Sequence, residues 1–327
     1  MTRIIISAGM LICCIAVRAQ QKELDSLLGI LDIHPGHDTT RITILNEIAY
    51  AYHSVDPDKG LQAAVEAIAL SRRVNNTSLL ASSYSNKGVN HWAKGEDSLA
   101  MAMYRQALTI HEAAGNKKGM GSMYNNIGML YFNKSDFYEA IAYHQKGLDI
   151  FIDLKDSSRI ATIQNNIGVD YQYVSDYPRA LDYYLSALAI YEKKQSQSHS
   201  DGAAARVLSN IGIVYKNLGQ YDSALAFQNR ALEAFEEIQN KQGMAQAYGN
   251  IGVVYDLLSR PANAIEFYMK ALHLNEASGN QHRMASDFTN LGTAYIQLLD
   301  YEKGFQYLLK ARNIYKASGD RNNLSVV

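Results

Sequence analysis

The stretch "YNNIGMLY", Tyr124–Tyr131, contains the pattern that decides the fold. A glycine inside a helix costs roughly 1 kcal/mol relative to alanine. Yet an Asn-x-Gly pattern returns along the chain in "SNKGVNHW", "NNIGVDYQ", "SNIGIVYK", "GNIGVVYD" and "TNLGTAYI". Because the unfavourable choice recurs, we expect each copy to solve the same packing problem.

The glycines follow a nearly constant period. They are Gly88, Gly128, Gly168, Gly212, Gly252 and Gly292, at intervals of 40, 40, 44, 40 and 40 residues. An aromatic residue or histidine stands three residues after each glycine, and small residues stand twelve and nineteen residues after it. An earlier copy, "LNEIAYAY", has Ala49 and Tyr52 in the same roles. The chain therefore contains seven copies of one unit, as repeat proteins do.

Each copy predicts a helix, a tight turn, a second helix and a loop. In "RALDYYLSALAIYEK" apolar residues recur at three- and four-residue steps, as on one face of a helix. Turn signals such as "KSDF" and "VSDYP" lie between the two halves of a copy, and Pro178 and Pro261 fall in the first turn of the second helix. Second helices end in "AAGN", "ASGN" and "ASGD", which predicts left-handed caps at Gly115, Gly279 and Gly319. A longer polar loop at 193–202 accounts for the interval of 44 residues. The predicted fold class is all-α.

The segments "NIGMLYFNKSDFYEAIAYHQKGL" and "NIGVDYQYVSDYPRALDYYLSAL" resemble the tetratricopeptide repeat (TPR). The period exceeds the usual ~34 residues, and the customary proline near the end of the second helix is missing, which indicates the subclass with repeats of about 40 residues. Kinesin light chain and bacterial peptide-pheromone receptors belong to that subclass. The resemblance implies a right-handed superhelix (α-solenoid) of about seven antiparallel helix pairs over residues 41–320. Residues 20–40 are then a helical lead-in, and residues 321–327 begin an incomplete further helix.

Small residues are expected where paired helices approach each other closely. In the third copy these are Gly128 on the first helix and Ala140 and Gly147 on the second, with Tyr131 filling the space beside them. Each pair buries its faces only against its neighbours, so packing offsets the cost in helix propensity. Most of the 23 tyrosines are accordingly expected in the core.

One equivalent position holds an asparagine, a residue that is an indifferent helix former. This asparagine row consists of Asn86, Asn126, Asn166, Asn210, Asn250 and Asn290. First helices line the concave face of a TPR superhelix, and related long-repeat proteins use asparagines there on the backbone of a bound peptide. A primary amide both donates and accepts, so it can pair with any peptide backbone. The alternative is that each amide bonds to a loop or to the neighbouring repeat.

Specificity is expected from variable positions on the same helices. The candidates are Trp92, Phe132, Gln172, Lys216, Asp256 and Ile296 four residues after each glycine, Asn125, Asn165, Ser209 and Thr289 three before it, and Arg206. Trp92 is the only tryptophan, and it is expected either as an anchor in the groove or as packing at a repeat junction. The set is mostly uncharged and lacks the several lysines with which other TPR proteins grip acidic chaperone tails, so a chaperone-tail receptor is not predicted.

Composition and motifs give no sign of catalysis. The formal net charge of −1 argues against a nucleic-acid partner. No phosphate-binding loop, dinucleotide fingerprint, metal-binding histidine pair or nucleophile elbow is present, so neither an enzyme nor a cofactor is predicted. His34 and His37 in "HPGH" lack a third ligand and are interpreted as a turn before the first repeat. His111 and His144 are interpreted as surface or junction residues.

The first nineteen residues have the layout of a secretory signal peptide. A positive start "MTR" precedes an apolar run from Ile4 to Val17, and cleavage is expected after Ala19. The run is shorter than the ~20 residues of a membrane-spanning helix. Both cysteines, Cys13 and Cys14, lie inside it. We therefore predict an exported, periplasmic or secreted protein without cysteine.

At the other end, "ASGDRNNLSVV" aligns with the start of a further first helix. Repeat arrays normally close with a capping helix, so Leu308, Ile314 and Tyr315 are expected to lack cover. Two functions follow. The first is a non-catalytic scaffold that holds a protein or peptide segment in its groove. The alternative is the sensor part of a signalling protein whose output module, such as a histidine kinase, helix-turn-helix or nucleotide cyclase, lies beyond this sequence.

Overall fold

The computed structural model describes residues 24–195 and 202–324, and in these ranges every regular element is an α-helix. The predicted signal peptide and residues 196–201 of the polar loop lie outside them. The helices are α1 (24–33), α2 (Thr39–Tyr52), α3 (Pro57–Arg73), α4 (Thr77–Ala93), α5 (Asp97–Ala113), α6 (Lys117–Asn133), α7 (Phe137–Asp153), α8 (Ser157–Tyr173), α9 (Tyr177–Gln195), α10 (Ala203–Asn217), α11 (Tyr221–Glu237), α12 (Lys241–Leu257), α13 (Pro261–Ser278), α14 (Gln281–Gln297), α15 (Tyr301–Ser318) and α16 (Arg321–Leu324). The all-α repeat fold predicted from the sequence is confirmed. No helix in the described ranges has both the length and the apolarity needed to span a membrane.

The helices form two compact units, which divide between Ser175 and Asp176. The N-terminal unit holds α1–α8, and the C-terminal unit holds α9–α16. Within each unit, the first helix of a repeat packs on the second helix of that repeat, as α4 packs on α5. The second helix then packs on the first helix of the next repeat, as α5 packs on α6. Each unit is therefore a stack of helix pairs whose core runs along the stack.

Left-handed corners end the helices where the sequence predicts them. Gly115, Gly279 and Gly319 have φ values of 62°, 68° and 71°. Other repeats place a residue with a side chain at the same corner, such as Lys155 after α7 with a φ of 53°. The asparagine that follows the glycine in "AAGN" has a separate role, because the Asn116 Oδ1 accepts the backbone N–H of Gly119 at 3.0 Å and caps α6.

The glycines of the Asn-x-Gly pattern leave space for the side chain of the residue sixteen positions later, which lies on the second helix of the same repeat. A Cβ added at Gly128 would lie 2.5 Å from Cδ2 of His144, and one at Gly252 would lie 2.5 Å from Cε1 of Tyr268. Tyr131 lies beside this contact, where its ring stacks on Tyr143 of the paired helix α7 with ring centroids 5.2 Å apart. Close backbone approach does occur at Gly147, where an added Cβ would lie 3.1 Å from the carbonyl oxygen of Gly121.

His144 is a core residue, not a surface residue. Its ring is fully buried, and Nδ1 lies 2.6 Å from the Asp170 Oδ2, which is also buried. Burial raises the pKa of the Asp170 carboxyl, and the hydrogen bond with His144 opposes that shift. The pair joins α7 to α8 of the next repeat, so the sequence placed His144 at a repeat junction correctly but missed its burial.

The last complete repeat also differs from expectation. Tyr315 is only 4% exposed. Its cluster includes Phe288 and Leu291 of α14, and Leu324 of α16 packs against it. The expectation that Tyr315 lacks cover is therefore wrong, because the short α16 already supplies one apolar side chain. Ile314 and Leu308 are half-buried.

Candidate functional site

A concave pocket of about 510 Å³ opens on the N-terminal unit, and we call it the groove pocket. First helices α2, α4, α6 and α8 supply nearly all of its lining. The residues predicted for a groove that it brings together are Asn86, Trp92, Asn125, Asn126 and Asn166. The other lining residues are Tyr50, His53, Ser85, Val89, Tyr104, Ser122, Met123, Met129 and Arg159.

Helical spacing explains why these side chains share one surface. On α6, Ser122, Asn126 and Met129 stand four and three residues apart, so they project from one face of the helix. On α4, Val89 and Trp92 continue the equivalent face. The stripe mixes polar amides with apolar side chains, which suits a ligand with both backbone groups and apolar side chains.

Three amides of the asparagine row join successive repeats. The Asn166 Nδ2 donates to the Asn125 Oδ1 at 2.9 Å, and the Asn86 Nδ2 donates to the carbonyl oxygen of Asn46 at 2.9 Å. In the C-terminal unit, the Asn250 Nδ2 donates to the Ser209 Oγ at 3.3 Å. Each acceptor residue stands three positions before the glycine site of the preceding repeat. These asparagines therefore have the structural role that the sequence left open as the alternative.

Asn126 and Asn290 differ from those three, because neither amide makes a side-chain hydrogen bond within the described ranges. At Asn290 no acceptor side chain is available, because the position that holds the acceptor in the other repeats is occupied by Gly249, which has no side chain. At Asn126 the equivalent residue is Ser85, whose short side chain forms no bond to the amide although both line the groove pocket. The Asn126 amide is half-buried and open to a ligand.

Trp92 and Phe132 occupy equivalent sequence positions but different environments. Trp92 is 37% exposed and lines the groove pocket. Phe132 belongs to an aromatic cluster where α6, α7 and α8 meet, with ring centroids 5.4 Å from Phe137 and 4.9 Å from Tyr173. The tryptophan is therefore placed to contact a ligand, whereas the phenylalanine packs at a repeat junction.

The other predicted residues are spread over α8, α10, α12 and α14. Asn165 lies on α8 beside Asn166, and Arg206 and Lys216 lie at the start and the end of α10, with Arg206 exposed and Lys216 half-buried. Asn210 and Asn165 both have interaction partners. Asp256 accepts a hydrogen bond from the Tyr268 hydroxyl at 2.7 Å, and burial raises the pKa of this carboxyl.

Sequence reasoning missed Arg159, the one arginine in the lining of the groove pocket. Its Nη1 donates to the Ser122 Oγ at 3.1 Å, and its guanidinium lies 5.2 Å from the ring centroid of Phe151. The Nε lies 3.3 Å from the Asp156 Oδ2. Arg159 precedes Asn166 by seven residues, two helical turns, and that spacing was the available signal.

The described ranges hold no group of three or more histidine, cysteine, aspartate or glutamate side chains placed to bind a metal ion. His34, from the "HPGH" turn, instead contacts the Asp38 Oδ1 at 3.0 Å. Asp38 caps α2 by accepting from the backbone N–H of Arg41. The pKa of the Asp38 carboxyl is lowered chiefly by that backbone hydrogen bond and then by His34.

Comparison with known proteins agrees with this architecture. Two family models described as "Tetratricopeptide repeat" match the chain, one at residues 119–193 and 203–277 and the other at 80–114. No curated protein matches the sequence.

Solved structures share the fold at low sequence identity. BtubC (BKLC) from P. vanneervenii is 20% identical, with a TM-score of 0.60, over 69% of this chain and 93% of that one. A Rap protein complexed with Competence and Sporulation Factor is 16% identical, with a TM-score of 0.57, over 93% and 99%. A signal transduction ATPase with a tetratricopeptide repeat sensor, from Pyrococcus horikoshii, is 15% identical, with a TM-score of 0.66, over 88% and 46%.

Proposed function

Because this chain belongs to the tetratricopeptide repeat family, we propose that it is a non-catalytic scaffold that holds an extended segment of a partner protein in the groove pocket. The observation that carries the proposal is the Asn126 amide, which lines the pocket and makes no side-chain hydrogen bond within the described ranges. An amide can donate to a backbone carbonyl and accept from a backbone N–H of a bound segment.

The apolar side chains around this amide supply a second kind of contact. Trp92, Val89 and Met129 line the same pocket. Aromatic and methionine side chains are enriched where proteins bind partners, because they bury a large area on contact. The backbone contacts hold a segment of any sequence, and the apolar contacts select among segments.

The structural neighbours support this proposal at the level of the fold. The Rap protein with the same repeat architecture was crystallised with Competence and Sporulation Factor bound. The helical-repeat scaffold is thus compatible with a bound factor, and in this chain the groove pocket offers a place for one.

The test is selection of octapeptides from a random display library on the full chain, followed by fluorescence polarisation with the enriched peptides. We expect Asn126→Ala to weaken their binding about two- to tenfold, the equivalent of one net hydrogen bond. Trp92→Ala is expected to weaken it further, because truncating a large pocket residue also removes apolar contact area.

The matched control is Asn313→Ala, which removes an exposed asparagine from the second helix α15. Its affinity should equal that of the wild type. Equal binding by the wild type, Asn126→Ala and Trp92→Ala proteins would contradict the proposal, as would a library that yields no binder.

We also propose that the scaffold is exported. The support is the sequence of residues 1–19, with its apolar run from Ile4 to Val17. Mass spectrometry of the protein from its native host should give a mature chain that begins at Gln20. A chain that retains Met1–Ala19 would overturn this proposal and leave the groove proposal untouched.

A second candidate function is the sensor part of a signalling protein. It is favoured by the likeness to the Pyrococcus horikoshii ATPase, a protein whose repeats are described as a sensor. Sequencing the gene past codon 327 tests it directly. An apolar span followed by an output module would support it, and a stop codon would contradict it.

A further inference from the structure

Two smaller concavities adjoin the groove pocket and extend its surface, in addition to a larger one of about 790 Å³ that is lined by Glu47 and shares Tyr50, His53 and Asn86 with the groove pocket. One of about 290 Å³ shares Asn86, Ser122 and Met123 with it, and one of about 130 Å³ shares Asn125, Asn126 and Arg159. The groove pocket and the two smaller concavities together form one continuous lining on the inner sides of α4, α6 and α8.

The charges of this lining are one-sided. Arg159 and Lys118 are its permanent cations, and His53 and His111 are its histidines, while no aspartate or glutamate lines the groove pocket or either smaller concavity. The one acidic side chain in the adjoining concavities, Glu47, lines the larger one, to which neither Arg159 nor Lys118 contributes. The chain as a whole has 31 basic and 32 acidic residues, so the bias belongs to this surface and not to the composition. Burial lowers the pKa of His111, which therefore adds little positive charge near neutral pH.

Arg159 is held in position to contact a ligand. Phe151 lies under its guanidinium, Ser122 accepts from Nη1, and Asp156 pairs with Nε. Nη2 makes no hydrogen bond within the described ranges, and the side chain is 43% exposed. Asp156 offsets part of the charge, but it lies outside the lining. The Lys118 side chain is exposed and forms no ion pair with any described residue.

From this charge complementarity we propose that the segment held in the groove pocket is acidic, with a carboxylate on the Nη2 side of Arg159 and further negative charge facing Lys118. The inference rests on the proposed function, since it names the chemistry of the same bound segment. A charge-assisted hydrogen bond to a positioned guanidinium is stronger than a neutral one, and the carboxylate geometry matches the guanidinium fork.

The test uses three pools of fluorescein-labelled octapeptides on the full chain. The pools share randomised apolar and small positions and differ at two fixed positions, which are Asp/Glu, Asn/Gln or Lys/Arg. We expect the acidic pool to bind best, and we expect its affinity to fall as salt is raised because mobile ions screen the attraction. Arg159→Gln should weaken binding of the acidic pool about tenfold and leave the neutral pool nearly unchanged.

The chain offers a close control in Arg230. Its guanidinium lies 5.3 Å from the ring centroid of Phe227, its Nη2 lies 2.8 Å from the Glu192 Oε1, and its side chain is 48% exposed. It shares with Arg159 an aromatic ring beside the guanidinium, a carboxylate partner and a partly exposed side chain, but it lies outside the pocket. Arg230→Gln should therefore bind the acidic pool like the wild type.

Each outcome decides one of the two proposals. Equal affinity for the acidic, neutral and basic pools, with no loss in Arg159→Gln, would overturn the acidic-segment inference and leave groove binding standing. No binding by any pool would overturn both. If Arg159→Gln does not fold, the comparison of the pools and the salt dependence on the wild-type chain still decide the question, and Lys118→Gln supplies a second variant.

Discussion

Replacing Asp287 tests whether the buried polar contacts between repeats have the energetics that the structure indicates. Asp287 lies on α14 and is 6% exposed, and its Oδ2 accepts from the Asn275 Nδ2 of α13 at 2.6 Å. Burial raises the pKa of this carboxyl from 3.8 to about 6, an effect that the Asn275 hydrogen bond and Arg283 oppose.

The sign of the pH effect follows from that direction. Between the unfolded and the folded pKa the folded state binds more protons than the unfolded state, so the free energy of unfolding falls as pH rises. Each pKa unit corresponds to about 1.4 kcal/mol, so the ionised carboxylate costs about 3 kcal/mol above pH 6. Asp287→Asn keeps an acceptor for Asn275 and does not titrate. Relative to the wild type, the variant should therefore gain about 2 kcal/mol between about pH 4.5 and about pH 7.5.

The assay is urea unfolding of wild type and variant across this pH range, with hydrogen exchange of the α13 and α14 amides to locate the change. Local measurement is needed because long repeat arrays unfold in parts. The control is Asp300→Asn. Asp300 caps α15, and the pKa of its carboxyl is lowered, first by Lys303 and then by the backbone hydrogen bond. Its stabilising contribution is present above the ordinary pKa of 3.8, so the wild type should be the more stable protein by a nearly constant amount across this pH range. A pH-independent difference for Asp287→Asn would refute the reasoning, as would a carboxyl carbon NMR titration of Asp287 near pH 4.

Three further predictions concern stability. Asn166→Ala should lower the free energy of unfolding by about 1 kcal/mol through loss of its inter-repeat hydrogen bond, whereas Asn126→Ala should change it by less than about 0.5 kcal/mol; equal losses in thermal unfolding would contradict this. Gly249→Ala should raise the free energy of unfolding by up to about 1 kcal/mol, because alanine favours a helix more than glycine does and the added Cβ meets no atom within 4 Å. A lower free energy of unfolding would contradict the open space at this helix face. Asp170→Ala should cost about 3 kcal/mol because it leaves His144 buried without a partner, and a near-neutral result in urea unfolding would contradict the buried pair.

Much of the fold could be predicted because the same sequence pattern recurs in every repeat. The interval of 40 residues, the helical spacing of apolar residues and the glycines after second helices can be recognised within a short stretch of sequence. Comparison of seven copies shows which positions follow the pattern and which depart from it. The partner of Gly128 could not be deduced in this way, because the crossing of two helices decides which residue faces it. Alignment of the repeats could nevertheless have identified this partner. His144 occupies the position of Tyr104 and Tyr268, sixteen residues after the glycine, and that position is buried in each of these repeats.

The asparagine row shows why the site was harder to predict than the fold. Asn86, Asn166 and Asn250 each donate to a residue of the preceding repeat forty or forty-one positions earlier. The identity of the residue at that equivalent position decides the role of the amide. Asn125 supplies an acceptor to Asn166, whereas Gly249 supplies no side chain to Asn290. A motif read within one repeat cannot contain this information, because the deciding residue belongs to another repeat.

The junctions between repeats contain different buried polar pairs. This difference helps to explain why similar repeats pack in one order and not in another. His144 meets Asp170 between α7 and α8, whereas Asn275 meets Asp287 between α13 and α14. Equivalent positions of the repeats carry similar small and apolar residues, so the competing folds to consider are those in which repeats pack in a shifted order. In such a shift Asp287 would face a repeat without Asn275 and would remain buried without its donor, at a cost of several kcal/mol. The polar pairs therefore add little to the stability of the native order, but they penalise the alternatives that a repetitive sequence otherwise permits.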